Sequence, residues 1–171
     1  MSPEREGKPV AESEVVLTVH MELEHSNLAG NVHGGVIMRL VDTAAGLAAA
    51  RHCGRLAVTA AMDDMTFMEP VYLGEIVTVR AMVNQAWTTS MEVGVRVEAE
   101  NYRRGRHAHT SSAYLVFVAL GEDGNPSEVP AAIAETEEQR QRQREAVLRR
   151  EARLARKQAI LAARKADGED L

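Results

Sequence analysis

The chain places one long helical pattern ahead of four long strand patterns, and this order restricts its fold more than any other feature. Between residues 36 and 52 apolar side chains recur at helical spacing, and Gly54 follows as a helix stop. A short β-branched run precedes the helix at 14–20. Four β-type runs follow it, at 55–67, 75–87, 89–101 and 107–120. Because an antiparallel sheet must cover one apolar face and one long helix is available, we expect an α+β fold with a five-stranded antiparallel sheet wrapped around a central helix.

Composition divides the chain into three parts. Residues 1–12 are polar and predict a flexible N-terminus, and the strand and helix patterns place a single domain at 13–122. The remaining segment, 123–171, begins with turn formers and continues from Glu135 as a run of Glu, Arg, Gln, Ala, Leu and Lys. These residues are strong helix formers with a thin apolar stripe. We therefore expect a linker and a charged helical tail that is solvated or packed on a partner.

Charge and cysteine content exclude several classes of protein. The 171 residues carry a net charge of −5, but residues 1–134 contain 17 acidic and 10 basic side chains, a net of −7. An acidic body argues against nucleic-acid binding, which needs a continuous basic surface. The single cysteine, Cys53, rules out an internal disulfide and a multi-cysteine zinc site, and no run approaches ~18 apolar residues. We therefore expect a cytoplasmic protein without a membrane segment.

Two glycines at the start of the predicted helix carry the first chemical signal. Unpaired N–H groups in the first turn of a helix favour an oxygen with negative character, and the lack of side chains at Gly34 and Gly35 lets a ligand approach the backbone. The stretch of His33, Gly34, Gly35 and Val36 therefore predicts an oxyanion and substrate-binding site. The alternative is that the glycines only turn the chain sharply.

Asp42 carries the second signal because its neighbours on the helix are apolar. A carboxylate is costly in such a setting, which predicts a general base or a nucleophile at a pocket. An ion pair with Arg39 on an exposed face of the helix is the alternative. In the preceding loop Asn31 can orient a water or a carbonyl, or it can cap the loop. His33 can act as a base, cap a turn or line a pocket.

Other reactive side chains lack the context that their chemistry needs. His107 and His109 alternate on a strand with no acidic cluster beside them, so no metal site is expected. Ser26 and Ser90 lack the strand-turn-helix elbow of a serine hydrolase. Cys53, at the C-terminus of the helix, faces the end of the helix dipole that disfavours a thiolate.

Four segments, 29–53, 63–77, 89–93 and 113–120, follow one another in the order and spacing of a known family. Together they resemble the hotdog-fold acyl-CoA thioesterases of the bacterial and cytosolic acyl-CoA hydrolase type. The resemblance extends over 13–134 and includes an Asn-x-x-Gly-Gly-x-x-x-x-x-x-Asp spacing. It implies hydrolysis of acyl-CoA to a free acid and coenzyme A, with Asn31 and Asp42 as catalytic residues that meet across the interface of a homodimer. A hexamer built as a trimer of dimers, and a reaction without metal or redox cofactor, are further expectations.

The coenzyme A part of such a substrate predicts additional contacts. Its phosphates need cationic side chains at the mouth of the pocket, for which Arg103, Arg104 and Arg106 are candidates. Thr66 and Ser90 are further candidates for contacts with coenzyme A.

Two other functions are weighed against hydrolysis. A non-catalytic acyl-CoA sensor would not need both Asn31 and Asp42, and neither end of the chain offers a helix-turn-helix for DNA. A hotdog hydratase pairs an Asp and a His in one loop, and the loop 25–33 contains no Asp. The sequence therefore favours the hydrolase.

Overall fold

A sheet and two long helices account for most of residues 6–166, the part of the chain that this computed structural model describes. The strands are β1 (Gly7–Pro9), β2 (Val15–His20), β3 (Ala57–Phe67), β4 (Ile76–Ala86), β5 (Ser90–Asn101), β6 (Arg106–Ala119) and β7 (Ala131–Ile133). The helices are α1 (Gly34–Cys53) and α2 (Glu137–Ala166), with short 3₁₀ helices at Val10–Ser13 and Leu23–His25. Within residues 6–166, neither long helix has the length and apolarity to cross a bilayer.

The main sheet confirms the predicted antiparallel architecture. Its five strands run in the order β2-β4-β5-β6-β3, and every neighbouring pair is antiparallel. Strands β2 and β3 are therefore the two edges. Strands β1 and β7 form a separate parallel pair.

Helix α1 lies against the inner face of the sheet because its buried side consists of small residues. Ala44, Ala45 and Ala48 are 0% exposed, which lets the helix axis approach the strands closely. At Gly46 an added Cβ would lie 3.5 Å from the ring of Phe117 on β6. Gly54 ends the helix in a left-handed conformation with φ +68°, as predicted for a C-terminal glycine. The central helix of the expected fold is confirmed.

The N-terminal segment is more ordered than its polar composition predicts. Residues of β1 pair with β7, Gly7 opposite Ala131, and Val10 is only 1% exposed. The hydroxyl of Ser13 donates to Val10 O at 2.6 Å and accepts the N–H of Val83 at 2.9 Å. The expectation of a flexible N-terminus is therefore wrong for residues 7–12, because paired backbone and two buried side chains hold them; residues 1–5 lie outside the described part.

Helix α2 packs its first half on the outer face of the sheet. Ala146 is fully buried there, and the guanidinium of Arg149 donates to both carboxylate oxygens of buried Glu92, at 2.7 and 3.1 Å. Arg153 pairs with Asp63 on β3. The second half, residues 154–165, is exposed. The expected helix, solvated or packed on a partner, stays a prediction for the exposed residues 154–165. It is wrong for the first half, which packs on the sheet of the same chain, where Arg149 covers the buried carboxylate of Glu92.

Candidate active site

The loop before α1 is organised by the side chain of Asn27. The side-chain Oδ1 of Asn27 accepts the backbone N–H groups of Ala29 and Asn31 at 2.9 and 3.1 Å. The backbone N–H of Asn27 donates to Asn31 O at 2.7 Å. Asn31 also forms an isolated antiparallel bridge with Tyr72. Both asparagines are half-buried. The loop is thus a closed turn that presents two amide side chains ahead of the helix.

The start of α1 is capped by His33. Its Nδ1 accepts the N–H of Gly35 at 2.9 Å, and its carbonyl oxygen accepts the N–H of Val36 at 2.9 Å. Two of the amides predicted for an oxyanion site are therefore already engaged. The amide of Gly34 has no acceptor among residues 6–166. Because His33 occupies the other donors, the predicted oxyanion site reduces to the Gly34 N–H at the positive end of the helix dipole.

A cavity of about 320 Å³ opens beside this helix start. Its lining includes Asn27, Asn31, Gly34, Ile37, Phe67 and Val71. The ring of Phe67 passes so close that a Cβ added at Gly34 would lie 3.6 Å from it. The cavity therefore combines two amide groups and one free backbone N–H with apolar walls, an arrangement suited to a polar carbonyl attached to an apolar chain.

Asp42 lies elsewhere on the same helix. It lies eight positions after Gly34, which is roughly 12 Å along the helix axis. Its side chain is exposed, and its Oδ1 accepts the hydroxyl proton of Thr59 on β3 at 2.7 Å. Within residues 6–166 no ion pair joins Asp42 to Arg39, so the alternative that the sequence left open is not formed. One chain does not bring Asn31 and Asp42 together.

Thr59 is a site residue that the sequence reasoning missed. Threonine is common on strands, and nothing in its local pattern distinguishes Thr59 from other strand threonines. Its position follows from a register shift in β3 between Thr59 and Ala61, where the pairing with β6 skips one residue. Such bulges re-aim side chains. Only the tertiary structure therefore identifies Thr59 as a residue of the site.

The surface around Asp42 is apolar and carries a free sheet edge. On β3, Val58 beside Thr59 is 40% exposed, and on α1 Met38 and Leu47 are 42% and 49% exposed. An exposed strand edge of 11 residues offers unpaired N–H and C=O groups to another chain. Asp42 and Thr59 therefore lie on a surface with the properties of a protein interface.

The predicted coenzyme A contacts are spread over the sheet. Arg103 and Arg104 are exposed in the turn between β5 and β6. Thr66 is exposed next to Phe67, at the cavity end of β3. Ser90 begins β5 opposite Val118, whereas Thr66 is opposite Ser112, so the two lie roughly 20 Å apart along the strands. The structure does not bring Ser90 to the cavity.

Arg106 is not a free cation. Its Nη1 donates to Glu75 Oε1 at 3.1 Å and its Nη2 to Glu69, and the bond to Glu69 raises the pKa of Arg106 further above its usual value. Two carboxylates already satisfy this guanidinium. The prediction that Arg106 binds a phosphate is therefore not supported by its geometry. Within residues 6–166 no group of three His, Cys, Asp or Glu side chains could hold a metal ion.

Comparison with known proteins gives one consistent family. The sequence model of the thioesterase superfamily matches residues 29–105. The uncharacterised acyl-CoA thioester hydrolase YkhA of Bacillus subtilis is 36% identical over 159 residues, covering 93% of this chain and 92% of that protein. The acyl-CoA hydrolase of Staphylococcus aureus, solved with butyryl coenzyme A, coenzyme A and coenzyme A disulfide, has a TM-score of 0.85 and 30% identity, covering 95% of this chain and 99% of that chain. A hexameric acyl-CoA thioesterase in its apo form has a TM-score of 0.86 and 31% identity, covering 88% of this chain and 97% of that chain.

Three further structures of the Staphylococcus aureus enzyme each carry an alanine, in place of an asparagine, an aspartate or a threonine. Along that chain the aspartate follows the asparagine by 15 residues, and the threonine follows the aspartate by 17. The extent of the YkhA match and the near-complete structural overlap agree with the resemblance stated from the sequence. The chain belongs to the thioesterase superfamily, as a hotdog-fold member of its acyl-CoA hydrolases.

Proposed function

We propose that this protein hydrolyses acyl-CoA at sites shared between two copies of the chain. One copy supplies the loop and helix start around Gly34, and the other supplies Asp42 with its partner Thr59. The observation that carries this proposal is the separation of the two halves. Within one chain the cavity and Asp42 are apart, and Asp42 lies on an exposed surface beside the free edge of β3. A second copy paired along that edge would bring an Asp42 to each cavity.

We further propose that Asn27, rather than Asn31, is the amide of this site. In this chain Asn27 precedes Asp42 by 15 residues, and Thr59 follows Asp42 by 17. These intervals equal those between the three substituted positions of the Staphylococcus aureus enzyme. Asn31 precedes Asp42 by 11 residues and does not fit them. Both asparagines line the cavity, so the interval is what favours Asn27.

The mechanism assigns one task to each group. The N–H of Gly34 and the side-chain NH₂ of Asn27 polarise the thioester carbonyl and stabilise the negative oxygen that forms on it. Asp42 either removes a proton from the attacking water or attacks the carbonyl carbon itself. The Thr59 hydroxyl holds one carboxylate oxygen of Asp42, which leaves the other oxygen for the reaction. The C–S bond breaks, the acyl carbon gains the hydroxyl of water, and the coenzyme A sulfur receives the proton.

The oligomeric state, the cofactor requirement and the cellular location are part of the same proposal. A trimer of such dimers agrees with the hexameric state named for a structural neighbour. The reaction as written needs no metal or redox cofactor. We also propose a cytoplasmic location, because a chain with a single cysteine forms no internal disulfide and does not depend on an oxidising compartment for its stability.

The experiment is a hydrolysis screen with acyl-CoA esters of two to sixteen carbons, measured as release of the coenzyme A thiol. The wild-type protein should release thiol from at least one ester. Asp42→Asn keeps the acceptor for Thr59 but loses the base, and it should reduce kcat on the order of 10²-fold or more. Wild-type turnover in a folded Asp42→Asn variant would remove Asp42 from the chemistry.

A further inference from the structure

Residues 69–71 form part of the cavity wall and begin a short segment, 69–75, that contains a buried charge. Glu75 is 0% exposed, and both of its carboxylate oxygens are bound. Oε1 accepts Nη1 of Arg106 at 3.1 Å, and Oε2 accepts the N–H of Tyr72 at 3.0 Å. A buried carboxylate is costly unless it is paired and hydrogen-bonded, so Arg106 offsets the cost of burying Glu75 in this segment. Backbone hydrogen bonds from Glu69 to Thr110 and from Gly74 to Met21 also hold the segment, but they do not neutralise the buried charge.

The same segment holds the loop that carries the two asparagines. The N–H of Val32 donates to Val71 O at 2.9 Å, and Asn31 forms its bridge with Tyr72. Asn27 is in turn bonded to Asn31 through the backbone and through its side chain. A displacement of segment 69–75 would therefore displace the loop ahead of Gly34.

Arg106 connects this assembly to the sheet. It lies at the start of β6, donates to Glu69 at one end of the segment and to Glu75 at the other, and lies over the ring of Tyr72 at 5.7 Å. The planar guanidinium can serve several partners at once because its donors point in fixed directions. No other side chain among residues 6–166 bonds to both glutamates.

We propose that Arg106 is a positioning residue of the active site. By binding Glu69 and Glu75 it holds segment 69–75 against β6, and through that segment it fixes the loop of Asn27 and Asn31 relative to Gly34. The inference rests on the proposed function for its kinetic consequence. It replaces the role of Arg106 as a phosphate ligand, because one guanidinium between two carboxylates leaves a net negative charge that does not attract a phosphate.

The kinetic test uses Arg106→Met, which keeps much of the side-chain volume and removes the charge. A misplaced loop lowers the rate of the chemical step, so we expect kcat to fall about tenfold or more while KM changes by less than about threefold. Arg106→Lys keeps the charge but lacks the two separate NH₂ groups of a guanidinium. Its kcat should therefore lie between those of the wild-type protein and Arg106→Met. A phosphate ligand would give the opposite result, a raised KM with unchanged kcat, and that result overturns the proposal.

A second variant separates positioning from stability. Arg106→Met leaves Glu75 buried and unpaired, so its melting temperature should fall; adding Glu75→Gln removes the buried charge and still offers an oxygen to Tyr72. The double variant should recover the melting temperature but not kcat. Recovery of both together would show a purely structural role and overturn the proposal. Arg96→Met is the matched control, since Arg96 also bonds a glutamate, Glu98 at 3.0 Å, and should leave kcat and KM unchanged.

Hydrogen exchange gives a readout that needs no substrate. In the double variant the amides of Asn31 and Val32 should exchange faster than in the wild-type protein, whereas the amides of α1 should not change. Unchanged exchange at these two amides overturns the proposal. A wild-type protein that hydrolyses no acyl-CoA would refute the proposed function, and faster exchange would still support the positioning role.

Discussion

The hydroxyl of Thr59 on the edge strand β3 donates a 2.7 Å hydrogen bond to Oδ1 of Asp42 on α1. This bond joins two elements that are otherwise connected by apolar packing, and it does so on an exposed surface. A carboxylate on a long helix can rotate among several rotamers, and a single bonded oxygen restricts that freedom. Thr59 therefore orients Asp42 before any substrate or second chain arrives.

Removing the hydroxyl should slow catalysis without unfolding the protein. Thr59→Val keeps the shape of the side chain, and a hydrogen bond to a charged group contributes about 1.5–3 kcal/mol, so we expect kcat/KM to fall roughly 10- to 100-fold. Thr59→Ser restores the hydroxyl and should recover most of the rate. The melting temperature checks that both variants are folded. Wild-type kcat/KM in Thr59→Val would leave the bond without a catalytic role.

The choice between the two asparagines can be tested with aspartate. Asn27→Asp retains the oxygen that accepts the N–H groups of Ala29 and Asn31 but lacks the NH₂ donor, so the loop can keep its hydrogen bonds. We expect kcat to fall on the order of 10²-fold in Asn27→Asp and only a few-fold in Asn31→Asp. The reverse order of effects would return the role to Asn31.

Buried His52 should make stability depend on pH. Burial lowers the pKa of His52 below the ordinary histidine value of 6.5, and its Nε2–H donates to Pro130 O at 3.2 Å. The unfolded chain therefore binds a proton more readily than the folded one. The stabilising contribution is complete above pH 6.5 and is lost as the pH falls below it toward the folded pKa.

Melting temperatures from pH 8 down to pH 5 test this point. His52→Gln can still donate to Pro130 but does not titrate, so the wild-type protein should lose more stability than the variant as the pH falls. The other histidines are present in both proteins, so their titration affects the two melting curves equally and does not contribute to the difference. Parallel curves for the two proteins would exclude His52 as the titrating group.

Two truncations should separate the halves of α2. Removing residues 154–171 takes away only exposed side chains among those described, so we expect an almost unchanged melting temperature. Removing 136–171 leaves the carboxylate of Glu92 buried without Arg149, which should lower the free energy of unfolding by about 3 kcal/mol. Arg149→Met in the full chain should reproduce much of that loss. Equal effects of the two truncations would contradict this division.

The sequence was sufficient for the two long helices and the five strands of the main sheet because their residue patterns are regular, whereas the short strands β1 and β7 were not predicted. Strand β5 alternates along Val93, Val95 and Val97, and α1 repeats its apolar residues at helical spacing. Their observed bounds lie within two residues of those predicted. The apolar repeat of α1 begins at Val36, two residues after the helix itself begins at Gly34, because the cap formed by His33 involves a side chain rather than an apolar repeat.

The side-chain pairings between residues distant in the chain could not be predicted from the sequence. Glu92 and Arg149 are separated by 57 positions, and the composition of α2 does not reveal which arginine meets a buried carboxylate. Arg106 looked like a phosphate ligand because its two glutamate partners are distant in sequence, 31 and 37 positions away. Asn27 and Asn31 are chemically equivalent in the sequence, so only their interval to Asp42 distinguishes them.

Mixing two inactive variants tests the shared site most directly. Chains with Asn27→Asp and chains with Asp42→Asn are each inactive in this account, and they carry different tags so that mixed dimers can be isolated after subunit exchange. Each mixed dimer has one site with both changes and one with neither. Random pairing of equal amounts makes half the dimers mixed, so activity should return to roughly a quarter of the wild-type value. Mixed dimers that form normally but stay at the background rate would contradict the shared site.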